Sequence, residues 1–195
     1  FVLAALLPWH LFSTSLQKSS HSLVGNANLL TKIYFPRLII PLASVFAVMV
    51  DFVISFVVLI LLMLFYQVYP TWQIFWLIPL TLLAVLAALA VGLWLSALNV
   101  RFRDVNYLLP FLVQVWMYAT PVIYGWDLLP ARWRWILTLN PMSGVVEGFR
   151  WVILGNSGLY SPGWLPWSSA GIVLVVLISG LAFFRHTERT FADII

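Results

Sequence analysis

The sequence has 195 residues, 63% of them hydrophobic and 8% charged, with a mean hydropathy of +1.02. Soluble domains average about 45–50% apolar and about 25% charged residues, so this chain lacks the polar surface that a water-soluble fold of its size requires, and a membrane protein is expected. It has no cysteine, which excludes a disulfide framework, a thiol nucleophile and a thiolate metal site; its net charge of +4 matters less than where the charges fall along the chain.

The chain begins at Phe1 inside an apolar run, "FVLAALLPWHLF", with no basic stretch before it and no small-residue cleavage site after it. A signal peptide is therefore not expected; the run reads as the end of a span, over 1–16, in a fragment whose N-terminal part is missing. A spanning helix needs about 20 mostly apolar residues. Residues 38–66 form a long candidate whose only charge is Asp51, and residues 74–98 form another with no charge at all. Residues 107–124 are shorter and interrupted by Pro110 and Pro121, and residues 164–184 open with Trp164 and Trp167.

Lysine and arginine set the expected orientation. The 17–37 connection holds Lys18, Lys32 and Arg37, the 99–106 connection holds Arg101 and Arg103, and the tail holds Arg185 and Arg189. All three are placed on the cytoplasmic side, and the 67–73 connection, which has no Lys or Arg, is placed outside. Residues 125–163 must then lie outside although they contain Arg132, Arg134 and Arg150. This long connection is expected to be structured. "LLPARWRWILTL" puts Leu129, Trp133, Ile136 and Leu137 on one helical face, and "NPMSGVVEGFRWVIL" follows with Asn140 as cap, Pro141 at the first helical position and a stripe of Val145, Val146, Phe149, Val152 and Ile153. Both helices are too short to cross the membrane, so they read as a hairpin on the outer face or dipping back into it.

Between the first two spans lies "NANLLTKIYFPRLIIP", residues 26–41. Asn26 suits an N-cap, Pro36 ends a helix, and between them Leu29, Leu30, Ile33 and Tyr34 share one face while Asn28, Thr31 and Lys32 share another. The pattern predicts a short amphipathic helix that either rests on lipid headgroups or docks on a cytoplasmic partner.

Taken in order, "SLVGNANLLTKIYFPRLIIPL", "ALNVRFRDVNYLLPFLVQVWMYATPVIY", "LPARWRWILTLNPMSGVVEGFR" and "ERTFADII" resemble the type-2 ABC exporter permeases of the polysaccharide group, which move O-antigen, capsule or teichoic acid. The resemblance covers nearly all of the chain. It implies one permease domain over 1–195, all-α and polytopic: a helical transmembrane bundle with a cytoplasmic coupling helix at 26–36 and an outer re-entrant hairpin, the gate, at 128–154. It implies six spans per subunit, two copies of the chain around a pore, and a separate ATPase subunit that binds ATP and Mg. No cofactor is expected in this chain, which has no G-x-x-x-x-G-K-[ST] string. The expected location is the bacterial cytoplasmic membrane, with lipid-linked polysaccharide and membrane lipids as partners and no nucleic acid.

The candidate site residues follow from both lines of argument. Leu30, Lys32, Tyr34 and Arg37 are the candidates for contact with the ATPase. Tyr107, Phe111, Gln114 and Tyr118 recur at i, i+4, i+7 and i+11 and make one aromatic and amide stripe, which lines a glycan passage or packs against a neighbouring helix. Glu147 and Arg150, three apart, are either a charged lining of the outer gate or a surface ion pair. Asp51 should face protein or water, because a carboxylate at the bilayer centre costs about 2.5–3.5 kcal/mol; it is read as a buried polar contact. His10, His21 and His186 lie far apart, so neither a metal site nor a catalytic residue is expected. An enzyme acting on a lipid-linked sugar, or an exporter of the same fold for drugs or lipids, stands as the alternative function.

Overall fold

The computed structural model describes residues 1–26, 36–68, 71–128, 130–155 and 162–188. Its elements are α1 (Val2–Gly25), α2 (Ile39–Phe65), a 3-10 turn (Trp72–Trp76) leading into α3 (Leu77–Arg101), α4 (Val105–Ala119), two short 3-10 turns and α5 (Arg134–Thr138), α6 (Ser143–Leu154) and α7 (Leu165–Thr187). The protein is an all-α bundle. Three stretches, Ile39–Phe65, Trp72–Arg101 and Leu165–Thr187, are long and apolar enough to cross a membrane, and α4 is a shorter apolar helix.

Helix α3 is the centre of the bundle, with α1 on one side and α7 on the other. Its composition explains the position: Ala84, Ala87, Ala88, Ala90, Gly92 and Ala97 are buried, and small residues let helix backbones approach closely in a membrane. A Cβ on Gly92 would lie 2.6 Å from Ser19 Oγ, so the α1–α3 approach depends on that glycine. Where α3 meets α7, Trp94 stacks on Phe183 at 4.2 Å and donates to Ser179 Oγ at 3.2 Å.

The expected end of the first apolar run near residue 16 is wrong. Helix α1 continues to Gly25 because its serines face α3: Ser15, Ser19 and Ser20 are fully buried. Hydropathy underrates such a stretch, since packing rather than lipid contact holds it. The 74–98 span is also extended, to Arg101, where Asn99 is buried and donates to the Ser20 carbonyl at 3.0 Å and to Asn106 Oδ1 at 2.5 Å. This staple shortens the 99–106 connection to a tight turn. Pro110 sits inside α4 without ending it, whereas Thr120, extended before Pro121, does end it. With 15 residues, α4 spans about 22 Å at 1.5 Å per residue.

The connection beyond α4 departs furthest from expectation. Residues 128–139 do not form one amphipathic helix. They make a 3-10 turn at Ala131–Trp133 and the five-residue α5, and of the expected apolar face Leu137 is buried while Trp133 and Ile136 are exposed. Leu129 lies outside the described residues. Helix α6 keeps its expected stripe, with Val145, Val146, Phe149, Val152 and Ile153 all buried, but Glu147, Gly148 and Arg150 on its other side are buried as well. It is inserted among α1, α3 and α7, not laid on the surface. Gly144 permits this: a Cβ there would stand 2.3 Å from the Leu165 carbonyl oxygen.

Chemistry separates the two ends of the bundle. Leu23, Ile40, Val100 and Phe184 pack together, which gathers the end of α1, the start of α2 and the ends of α3 and α7. Lys18, Arg37, Arg101, Arg103 and Arg185 all belong to this end. The opposite end carries exposed Trp72, Trp76, Trp133, Trp135, Trp164 and Trp167. Lys and Arg favour the cytoplasmic side while tryptophans gather at either interface, so the basic end is the one expected to be cytoplasmic.

Candidate functional site

Helix α4 presents two unlike rows to the outside. Leu109 and Val113 face the core, and Trp116 packs edge-on against Phe12 of α1 at 5.2 Å. On the opposite side Tyr107, Phe111, Gln114 and Tyr118 are all exposed, Tyr107 at 84%. A second exposed row, Leu108, Leu112 and Val115, is purely apolar. The aromatic and amide stripe is therefore not core packing within this chain. It offers ring faces, two phenol hydroxyls and an amide along one line, groups that can stack on and hydrogen-bond to a polar ligand carrying C–H faces.

The outer end of α4 is held by a polar lock that the sequence pattern understates. Arg150 is fully buried and Glu147 is 4% exposed, with Arg150 Nη1 donating to Glu147 Oε1 at 2.6 Å. The same guanidinium donates to the Tyr124 carbonyl at 3.0 Å and, through Nη2, to the Val122 carbonyl at 2.6 Å. Its plane lies over the Phe1 ring, 3.9 Å from the centroid. Both expectations for this pair give way: it is neither a surface ion pair nor an exposed gate lining, because the carbonyls that follow α4 need donors and draw the arginine inward. This geometry takes Arg150 out of the conflict over positive charge on the outer side, while Arg132 and Arg134 keep their charge. Glu147 neutralises Arg150 internally, and Arg134 lies over the Trp126 ring at 5.0 Å.

Asn140 completes the lock and was read too narrowly as a helix cap. Its Oδ1 accepts from the Met142 backbone N–H at 3.0 Å, one residue before the observed helix start, and from Trp116 Nε1 at 3.2 Å. Its Nδ2 donates to Thr120 Oγ1 at 2.8 Å. One side chain thus ties the start of α6 to the last turn of α4. Ser169, which sequence reasoning missed, accepts from the Gly144 N–H at 3.0 Å and anchors α6 to α7. An i, i+3 spacing announces the Glu147–Arg150 pair, but nothing local announces Ser169.

Asp51 is not buried in the chain. Its side chain is 60% exposed in a groove between α1 and α2, 3.7 Å from Lys18 Nζ, which is itself 48% exposed. The expected burial does not hold, because α2 packs on α1 along one edge only; the polar contact Asp51 makes is with Lys18. At the cytoplasmic end Arg37 donates to the Glu188 carbonyl, joining the start of α2 to the end of α7. Leu30, Lys32 and Tyr34 lie outside the described residues, and so does Arg189.

The chain, a helical bundle with three helices long and apolar enough to cross a membrane, belongs to the ABC-2 type transporter family, whose model matches residues 1–154. Its relatives are named for what they export. Two proteins of Klebsiella pneumoniae, each called O-antigen export system permease protein RfbA, are 29% and 28% identical to it over 100% of this chain and 74% of their own length. A Myxococcus xanthus protein of the same name is 29% identical over 99% of this chain and 74% of its own length.

Proposed function

We propose that this chain is the membrane subunit of an exporter that moves a lipid-linked polysaccharide of the O-antigen, capsule or teichoic acid type across the bacterial cytoplasmic membrane. The observation that carries the reading is the exposed Tyr107–Phe111–Gln114–Tyr118 stripe, in a chain similar over its whole length to O-antigen export permeases. Two copies face each other across the passage, the stripes line it, and sugar rings slide over the aromatic faces with hydroxyls exchanging between Gln114, the tyrosines and water. A separate ATPase subunit binds ATP and Mg. Residues 26–36, with Leu30, Lys32 and Tyr34, form the coupling helix that it pushes, and Arg37 passes the movement to α2 and α7. The outer gate is built on the segment 128–154.

The absence of cysteine makes the test direct. Single cysteines at Tyr107, Phe111, Gln114 and Tyr118 are expected to react with a membrane-impermeant thiol reagent when the transporter turns over. Cysteines at Leu108, Leu112 and Val115 are expected to stay unreactive because they meet lipid. Labelling of the apolar row at the rate of the aromatic row would overturn the assignment of the passage.

A further inference from the structure

The groove between α1 and α2 changes character along its length. Near the cytoplasmic end it is a cavity of about 500 Å³ lined by Gln17, Lys18, His21 and Ser44. Toward the other end it continues as a cavity of about 270 Å³ walled by Leu3, Leu7, Val58 and Leu62. The two meet where Lys18, from the first, approaches Asp51, from the second, at 3.7 Å. This run of polar groups lies in a chain with 8% charged residues, beside a helix whose exposed surface is otherwise Val50, Val53, Ile54 and Val57. Ionisable side chains at membrane depth are costly and are retained where they meet a partner.

We infer that this groove holds one anionic phospholipid of the cytoplasmic leaflet, its phosphate at Lys18 and His21 and one acyl chain along the Leu3–Leu62 wall. Three features argue for that occupant. The polar half opens toward the basic end of the bundle, and the deeper half is mostly leucine and valine with His10 and Ser55 among them, so the groove has the polarity of an amphiphile in its resting orientation. The Lys18 ammonium suits a phosphate as a cation, and the His21 ring as an N–H donor. Finally, the Lys18–Asp51 pair is long and exposed, the kind worth little in itself, so it exchanges readily. Lys18 reaches up to Asp51 when the groove is empty and turns down to the phosphate when it is filled. The inference is independent of the transported substrate.

The test uses the purified full-length protein in nanodiscs of phosphatidylcholine doped with phosphatidylglycerol, with bound lipid read by native mass spectrometry. The wild type is expected to retain phosphatidylglycerol selectively, and Lys18→Ala with His21→Ala to retain it about tenfold more weakly, the loss of one charge-assisted contact. Asp51→Asn is expected to retain it as well as the wild type or better, because Lys18 loses its competing partner. A purely structural ion pair would make Asp51→Asn and Lys18→Ala behave alike, and that result would overturn the site. Displacement of phosphatidylglycerol by an equal amount of a polyprenyl phosphate would overturn the choice of occupant in favour of a carrier lipid.

Discussion

Replacing Arg150 by methionine removes a fully buried cation with three acceptors: Glu147 Oε1 at 2.6 Å, the Val122 carbonyl at 2.6 Å and the Tyr124 carbonyl at 3.0 Å. Methionine keeps most of the volume, so the effect is electrostatic. Glu147, 4% exposed, loses the guanidinium that stands 2.6 Å from its Oε1. Breaking a buried pair from one side costs about 3–5 kcal/mol, against total stabilities of about 5–15 kcal/mol. The assay is reversible unfolding of purified protein in mixed micelles, followed by tryptophan fluorescence. The reasoning makes a second, sharper demand. Adding Glu147→Leu to the Arg150→Met protein removes that buried carboxylate and leaves only two carbonyls short of a donor, so the double variant should be more stable than the single, with a coupling of about 0.5–3 kcal/mol. A single-variant loss below about 1 kcal/mol, the value of an exposed pair, would refute the lock. So would a double variant less stable than Arg150→Met.

Two other outcomes are expected. Gly144→Ala places a methyl 2.3 Å from the Leu165 carbonyl oxygen, against backbone that cannot swing away, so it should lower stability by about 1–3 kcal/mol in the same unfolding assay. Lys32→Glu with Tyr34→Glu should leave the permease folded and in the membrane but abolish stimulation of the ATPase and export of glycan; survival of both would remove the coupling role from residues 26–36.

How much of this was legible depended on what each segment packs against. The α2 and α7 spans are read correctly to within a few residues because lipid is their main surroundings and hydropathy measures that contact. Helix α1 is cut short at residue 16 because Ser15, Ser19 and Ser20 look like a loop until α3 supplies small-residue packing opposite them. Pro110 and Pro121 are both breakers by rule, yet only Pro121 ends a helix, and the difference lies outside the local sequence. The α4 stripe was visible from spacing alone, but whether it faced the core was not: exposure is a tertiary property. The lock was half visible. Glu147 and Arg150 announce themselves as a pair, while their burial follows from carbonyls at 122 and 124 that no pattern of side chains encodes.

The two ion pairs differ in what holds them. At the outer end, Arg150 and Glu147 are buried and close together on α6, Arg150 also binds the Val122 and Tyr124 carbonyls just beyond α4, and Asn140 adds hydrogen bonds to Thr120 and Trp116. At the inner side, Lys18 and Asp51 are about half exposed and 3.7 Å apart. A buried pair resists separation by several kcal/mol and an exposed one by about 0–1 kcal/mol. Breaking the outer contacts therefore costs more than breaking the Lys18–Asp51 pair, although α1 and α2 are also joined by the apolar core that contains Phe12, Val45 and Val48.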